Sequence, residues 1–388
     1  MKVAMYWHNG RSLGHTAESA KVAHALVDGL PDVHIAGLTG AYRGLDLLPA
    51  EVDVIRLPGF ANYDSPAGWG LRSKLGLAPE KHFGLRQELA EVLLRHYRPD
   101  VFLVNHLPQG EEAELVPALR GRHARRSVLT LRGVLFDREK TNRKYFLEPM
   151  ASWIAEHFDA VTVHMPSEVF QLEQHYDVPA YLLDRVRYLG YLTDPHPTDR
   201  QTVRERLGWH AQDRWAVASM GGGQGALELW RRIVTALVAN RRSLDRALLV
   251  TGPYLEPEAA AELRRLAEAH PWISVVEFSP GMPDLMRACD VFIGAAGSNM
   301  IAEALSAGSN TVLIPRQVRE VEQQVHARLV RDRGFARMCD RAEVLAGDLD
   351  EVLGEALRAP LQPEAAGLLG GARRYPKLVR ALHEGSAW

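Results

Sequence analysis

Residues 10–15 (GRSLGH) follow a short apolar run at 3–7 and precede a helical pattern at 17–30. His15 therefore belongs at the carboxyl end of a strand, where open parallel sheets bind their ligands. A neutral imidazole there can take the proton of an attacking hydroxyl. The competing reading is a histidine that caps its helix or binds a phosphate. A second loop, residues 219–226 (SMGGGQGA), carries four glycines between a strand at 215–219 and a helix at 227–238. Strand, glycine turn and helix make an anion site, because Gly222, Gly223, Gln224 and Gly225 let backbone amides approach a pyrophosphate at a helix N-terminus. Glycines serving only a tight turn are the alternative, though four exceed what a turn requires.

A third constellation is residues 294–305 (GAAGSNMIAEAL), again a strand end, a small-residue turn and a helix. Gly297, Ser298 and Asn299 form the turn, and Glu303 lies where a carboxylate can accept hydrogen bonds from both hydroxyls of a ribose. A solvated glutamate favouring the helix dipole is the other reading. The strand at 101–105 ends in Asn105 and His106. An amide can orient an imidazole but cannot stabilise imidazolium by charge, which leaves Glu111, Glu112 and Asp137 as alternative carboxylates. Arg132 and Arg316 end strands and could neutralise a diphosphate, with Ser12 and Gly14 as further phosphate or acceptor contacts. No acidic pair with metal spacing accompanies them, so no metal and no cofactor is expected.

The elements that must position these residues are those of an α/β protein. Strands are expected at 3–7, 33–37, 54–57, 101–105, 127–131 and 160–164 in the first half, and at 215–219, 246–251, 273–278, 291–293 and 311–314 in the second, with helices between them. At 388 residues the chain suits two doubly wound domains. Residues 190–200, with two prolines and a glycine, read as the linker. The expected division is a first domain at 1–189, a second at 201–371, and a helix at 372–388 that packs back on the first. Residues 60–86 read as a long Gly- and Pro-rich loop, with Arg86 among its cations, suited to recognising an acceptor or touching a membrane surface.

The net charge of −2 supplies no field for a phosphate backbone and argues against nucleic acid. Two cysteines, Cys289 and Cys339, give no disulfide framework. With no signal-peptide pattern and no apolar run of spanning length, a cytoplasmic location with at most peripheral membrane contact is expected.

Residues 221–226 and 294–305, followed by Pro315, Gln323 and Gln324, resemble the bacterial transferases that add N-acetylglucosamine to lipid-linked peptidoglycan precursor. Over nearly the whole chain, Leu13-Gly14-His15, Leu131-Arg132-Gly133, Thr251-Gly252-Pro253 and Pro315-Arg316 with Glu322-Gln323 are similar to a bacterial group of predicted glycosyltransferases. The resemblance implies a GT-B fold, two Rossmann-like domains facing a central cleft. It also implies inverting, metal-independent transfer from a nucleotide-sugar, UDP-sugar favoured, to a hydroxyl of a small-molecule or lipid-linked acceptor. By it, backbone groups of Phe278 and Ser279 read the base. Gln323 or Gln324 touches the sugar hydroxyls; spacing one residue longer than the family's leaves open which. A UDP-N-acetylglucosamine 2-epimerase on the same fold, which needs several acidic residues around the sugar, and a non-catalytic sugar-nucleotide binder are the alternatives.

Overall fold

The computed structural model describes residues 1–8, 14–65, 68–222, 225–315, 321–361 and 365–386, with backbone alone for 61–72. The chain divides into two compact units, 1–192 with 370–388, and 193–369.

The first unit is built on a seven-stranded parallel sheet in the order β3-β2-β1-β6-β7-β8-β9. Its strands are β1 Lys2–Trp7, β2 His34–Thr39, β3 Val52–Arg56, β6 Val101–Asn105, β7 Arg126–Leu131, β8 Ala160–Val163 and β9 Val186–Tyr188. Between β3 and β6 stand a separate antiparallel pair, β4 Phe60–Ser65 and β5 Gly68–Ser73, and the helix Pro79–Tyr97. Residues 60–86 are thus a hairpin and a helix start rather than one long loop. Its glycines and polar residues hide the strand alternation.

Strand β1 is apolar on both faces because both are covered, as parallel strands require. Val3, Met5 and Trp7 pack with Val22, Ala23 and Leu26 of the helix Gly14–Gly29 and with Tyr375, Leu378 and Val379 of the C-terminal helix Tyr375–Glu384. Each such fully buried side chain contributes about 1.5–3 kcal/mol, enough to hold the final helix on this unit.

The second unit holds a six-stranded parallel sheet, β12-β11-β10-β13-β14-β15. Its strands are β10 Trp215–Ser219, β11 Arg246–Val250, β12 Ile273–Val276, β13 Val291–Ala295, β14 Thr311–Ile314 and β15 Arg337–Met338. The alternation is visible in its core. Ala216, Ala218, Val291 and Ile293 face Trp230 and Ile233 of the helix Leu227–Ala239 and Leu353 of the helix Leu349–Arg358. Val217 and Phe292 face the other way, toward Met286, Cys289 and Ala304. Both cysteines are free and buried.

The 190–200 segment is not an independent linker. Residues through Leu192 belong to the first unit, and from Thr193 the chain joins the second. There Ser306 Oγ donates to Asp194 O (2.6 Å) and His196 Nε2 meets Asp284 (2.9 Å). Among the described residues no helix is long and apolar enough to cross a membrane.

Candidate active site

In each sheet the strand order reverses beside the first strand, and ligands bind open sheets at the carboxyl ends of the strands flanking such a point. In the first unit these strands are β1 and β6. His8 follows β1, and His106 follows β6 in the left-handed region at φ 68°. His15 lies inside the first turn of the helix Gly14–Gly29, not in the loop before it.

The three imidazoles cluster. Ring centroids are 3.8 Å apart for His8 and His15, 5.3 Å for His15 and His106, and 5.7 Å for His8 and His106. His15 Nδ1 is 2.7 Å from Asn105 Oδ1. An amide oxygen only accepts, so Nδ1 carries the hydrogen and Nε2 keeps its lone pair.

Beside the cluster Arg132, just past β7, pairs with Glu18 at 2.8 Å, both largely buried. Burial, then the Arg132 charge, then His8 and His106 hold the His15 imidazolium well below its ordinary range, against a smaller upward pull from Asn105. Burial, Arg132 and Lys144 bring His8 down to about 3, and burial with His8 and Arg132 lowers His106 well below the usual value. All three rings are therefore neutral at neutral pH, the state a proton acceptor needs.

Glu18 is a residue the sequence reading missed. It precedes Val22 and Leu26 at helical spacing, so an acid on the buried stripe of an otherwise apolar face was the available signal. Behind it, Tyr375 Oη from the C-terminal helix lies 2.6 Å from His164 Nε2 and 3.0 Å from Thr162 Oγ1. Glu18, Asn105, Thr130, His164 and Tyr375 all line one small internal cavity. Burial above all takes His164 down to about 4.

The group that meets His15 Nδ1 is the Asn105 amide rather than a carboxylate. Asp137 caps the helix Arg138–Thr141 by accepting from Lys140 N–H (2.9 Å). Glu111 N–H donates to Tyr6 Oη (3.1 Å) and Glu112 N–H to Glu114 Oε2 (2.7 Å). Glu114 also takes the Tyr6 hydroxyl (2.7 Å) and the Arg86 guanidinium (2.5 Å), and the Arg86–Glu114 pair is fully buried. Arg86 is thus structural rather than a surface cation of a recognition loop.

In the second unit the reversal point lies between β10 and β13. Gly221 (φ 66°) and Gly225 (φ 66°) turn the chain after β10 in the left-handed region that favours glycine. The turn rests on the TGP segment after β11. A Cβ on Gly252 (φ 85°) would stand 2.0 Å from Gly221 O and 2.7 Å from Gly222 C, so only glycine permits this approach. Tyr254 N–H donates to Gly222 O (2.9 Å), and Gly225 N–H donates to Glu256 Oε1 (3.2 Å). The Gly252 N–H reaches Glu277 O (2.9 Å) beyond β12, which ties in Phe278, an aromatic ring 65% exposed.

Gly297 caps the helix Ser298–Ala307, which carries Asn299 in its first turn and Glu303, half-buried, in its second. Gln323 and Gln324 start the helix Glu322–Arg331, tied back by Ser298 Oγ donating to Glu322 (3.3 Å). Ser12, Gly223, Gln224 and Arg316 lie outside the described residues. Among those described, no group of three or more His, Cys, Asp or Glu could hold a metal ion.

Residues 216–368 match the glycosyltransferase family 28 C-terminal domain. The chain is 29% identical over 174 residues to the UDP-N-acetylglucosamine--N-acetylmuramyl-(pentapeptide) pyrophosphoryl-undecaprenol N-acetylglucosamine transferase 2 of Bacillus thuringiensis, covering 44% of this chain and 48% of that one. The enzyme of that activity from Alkaliphilus metalliredigens is 26% identical over 163 residues, 42% and 41% of the two chains. The chain thus spans about half the length of the curated relatives it matches. Among solved structures, Acinetobacter baumannii MurG superposes with TM-score 0.63 at 17% identity over 99% of this chain and 100% of that one. The UDP-GlcNAc 2-epimerase of Methanocaldococcus jannaschii gives TM-score 0.64 at 12% identity, again over 99% and 100%. These likenesses establish the two-domain GT-B fold and a C-terminal unit related to that of the peptidoglycan N-acetylglucosaminyltransferases.

Proposed function

We propose that this chain, a GT-B protein with a glycosyltransferase family 28 C-terminal domain, transfers a sugar from a UDP-sugar to a hydroxyl of a lipid-linked or small-molecule acceptor, with inversion and without a metal. The observation that carries the reading is the glycine turn on its Gly252 seat, inside the segment that matches the family. The turn and the helix behind it present amides to the diphosphate, while Glu303 takes the ribose hydroxyls and Gln323 or Gln324 the sugar. His15 Nε2 accepts the acceptor proton as the acceptor oxygen bonds to the anomeric carbon and the bond to the diphosphate breaks. Asn105 holds the ring in the required tautomer. Arg132, fixed by Glu18, offers a cation to an incoming phosphate. The relatives' lipid-linked acceptor favours a cytoplasmic protein that meets membranes peripherally.

The test is thermal unfolding with UDP, GDP and dTDP, each with and without magnesium, since a ligand of the folded state raises its stability. UDP should raise Tm without metal. No shift with any nucleotide would contradict a donor site in this unit.

A further inference from the structure

At the end of the seven-stranded sheet opposite His15, around the amino ends of β6 and β7, the first unit holds a cavity of about 510 Å³. That volume suits a small ligand. The five residues of β6 run from Val101 at this end to Asn105 at the other, roughly 13 Å at the strand rise. The two sites are separate.

Four arginines, Arg122, Arg125, Arg126 and Arg185, line the cavity against two acids, Glu156 and Asp159. Asp159 is already engaged, accepting from Arg126 (2.9 Å) and from Ser127 N–H (2.8 Å). Arg185 donates to the carbonyls of Ala155 and Phe158, both at 2.6 Å, which fix its guanidinium without cancelling its charge. Arg122 and Arg125 make no ion pair among the described residues. Three guanidinium charges therefore face the single carboxylate of Glu156. Arg122 also sits in the left-handed region at φ 48°.

We propose that this cavity is a second binding site, for a compact polyanion of the diphosphate class, held by Arg122, Arg125 and Arg185. Planar guanidinium groups grip phosphate oxygens in pairs, and a multiply charged ligand relieves the mutual repulsion of the three cations. His157 lines the wall, its ring stacked 3.7 Å from Trp153, and so reports occupancy locally.

The test titrates inorganic pyrophosphate into the full chain in low salt with excess UDP present, read by calorimetry and by the imidazole NMR signals of His157. The comparison is the variant Arg122→Gly/Arg125→Gln, which relieves the left-handed residue and alters exposed positions, so its fold should survive. The expected result is a saturable shift of His157 and binding at least roughly tenfold weaker in the variant, the effect of losing one charge-assisted hydrogen bond or more. Unmoved His157 signals, or equal affinity in the variant, would overturn the site. So would phosphatidylglycerol vesicles that bind through these arginines while pyrophosphate does not. None of these outcomes depends on the glycosyltransferase reading.

Discussion

The Nδ1 atom of His15 stands 2.7 Å from the amide oxygen of Asn105, so an uncharged group orients the candidate base. Related sites that use a carboxylate stabilise the imidazolium after proton transfer; here orientation is supplied without that charge. With burial and Arg132 also acting, His15 holds a proton only well below its ordinary range.

His15→Ala should lower turnover roughly 10²- to 10⁴-fold, the range for a positioned general base, with UDP affinity little changed. Asn105→Asp should move the acid limb of the kcat profile to higher pH, because a carboxylate favours imidazolium. A pH profile that does not move in Asn105→Asp would separate this contact from catalysis.

Glycine substitutions should split by geometry. Gly252→Ala drives a Cβ into Gly221 O in a residue at φ 85°, and should cost at least about 2 kcal/mol in denaturant unfolding while abolishing UDP binding. Gly221→Ala meets nothing within 4 Å and should cost only the backbone strain of a left-handed alanine, about 1–2 kcal/mol. Equal losses in the two variants would contradict the seat described for the turn.

Glu303 is proposed to take the ribose hydroxyls. Glu303→Ala should weaken UDP about tenfold to a hundredfold, the value of a hydrogen bond to a charged group, and should erase discrimination against 2′-deoxy-UDP. Retained discrimination, measured by calorimetry, would move the ribose contact elsewhere.

Much of this was legible before the fold was known, and the exceptions have physical causes. Strands β1, β6, β10 and β13 are short continuous apolar runs because both faces are covered, which makes them easy to read. The β4–β5 hairpin was not, since its glycines and charges mimic a loop, and β15 has only two residues. His15 and the glycine turn are local motifs. Glu18, His164 and Tyr375 meet only through tertiary packing, with Tyr375 arriving more than two hundred residues after its partners. Arg86 read as a surface cation because its partner Glu114 lies 28 residues away.

Buried neutral histidines also set the acid stability. His8 and His326 are held down to about 3 and His164 to about 4, chiefly by burial, whereas in the unfolded chain they titrate near 6.5. Between those limits the unfolded chain binds more protons, so stability falls as pH drops below 6.5, by about 1.4 kcal/mol per pH unit for each group. Above 6.5 this contribution is constant. Calorimetric Tm values should therefore fall steeply from pH 6.5 to 4.5; a flat profile there would show these rings to be protonated in the fold.

Sugar transfer is tested most directly by mass spectrometry of each of a panel of nucleotide-sugars after incubation with the protein and a bacterial extract. The expected result is free UDP together with a new species heavier by one sugar residue, formed without added metal and nearly lost in His15→Ala. A UDP-sugar converted to an isomer of unchanged mass with no UDP released, or left untouched in every extract, would contradict it.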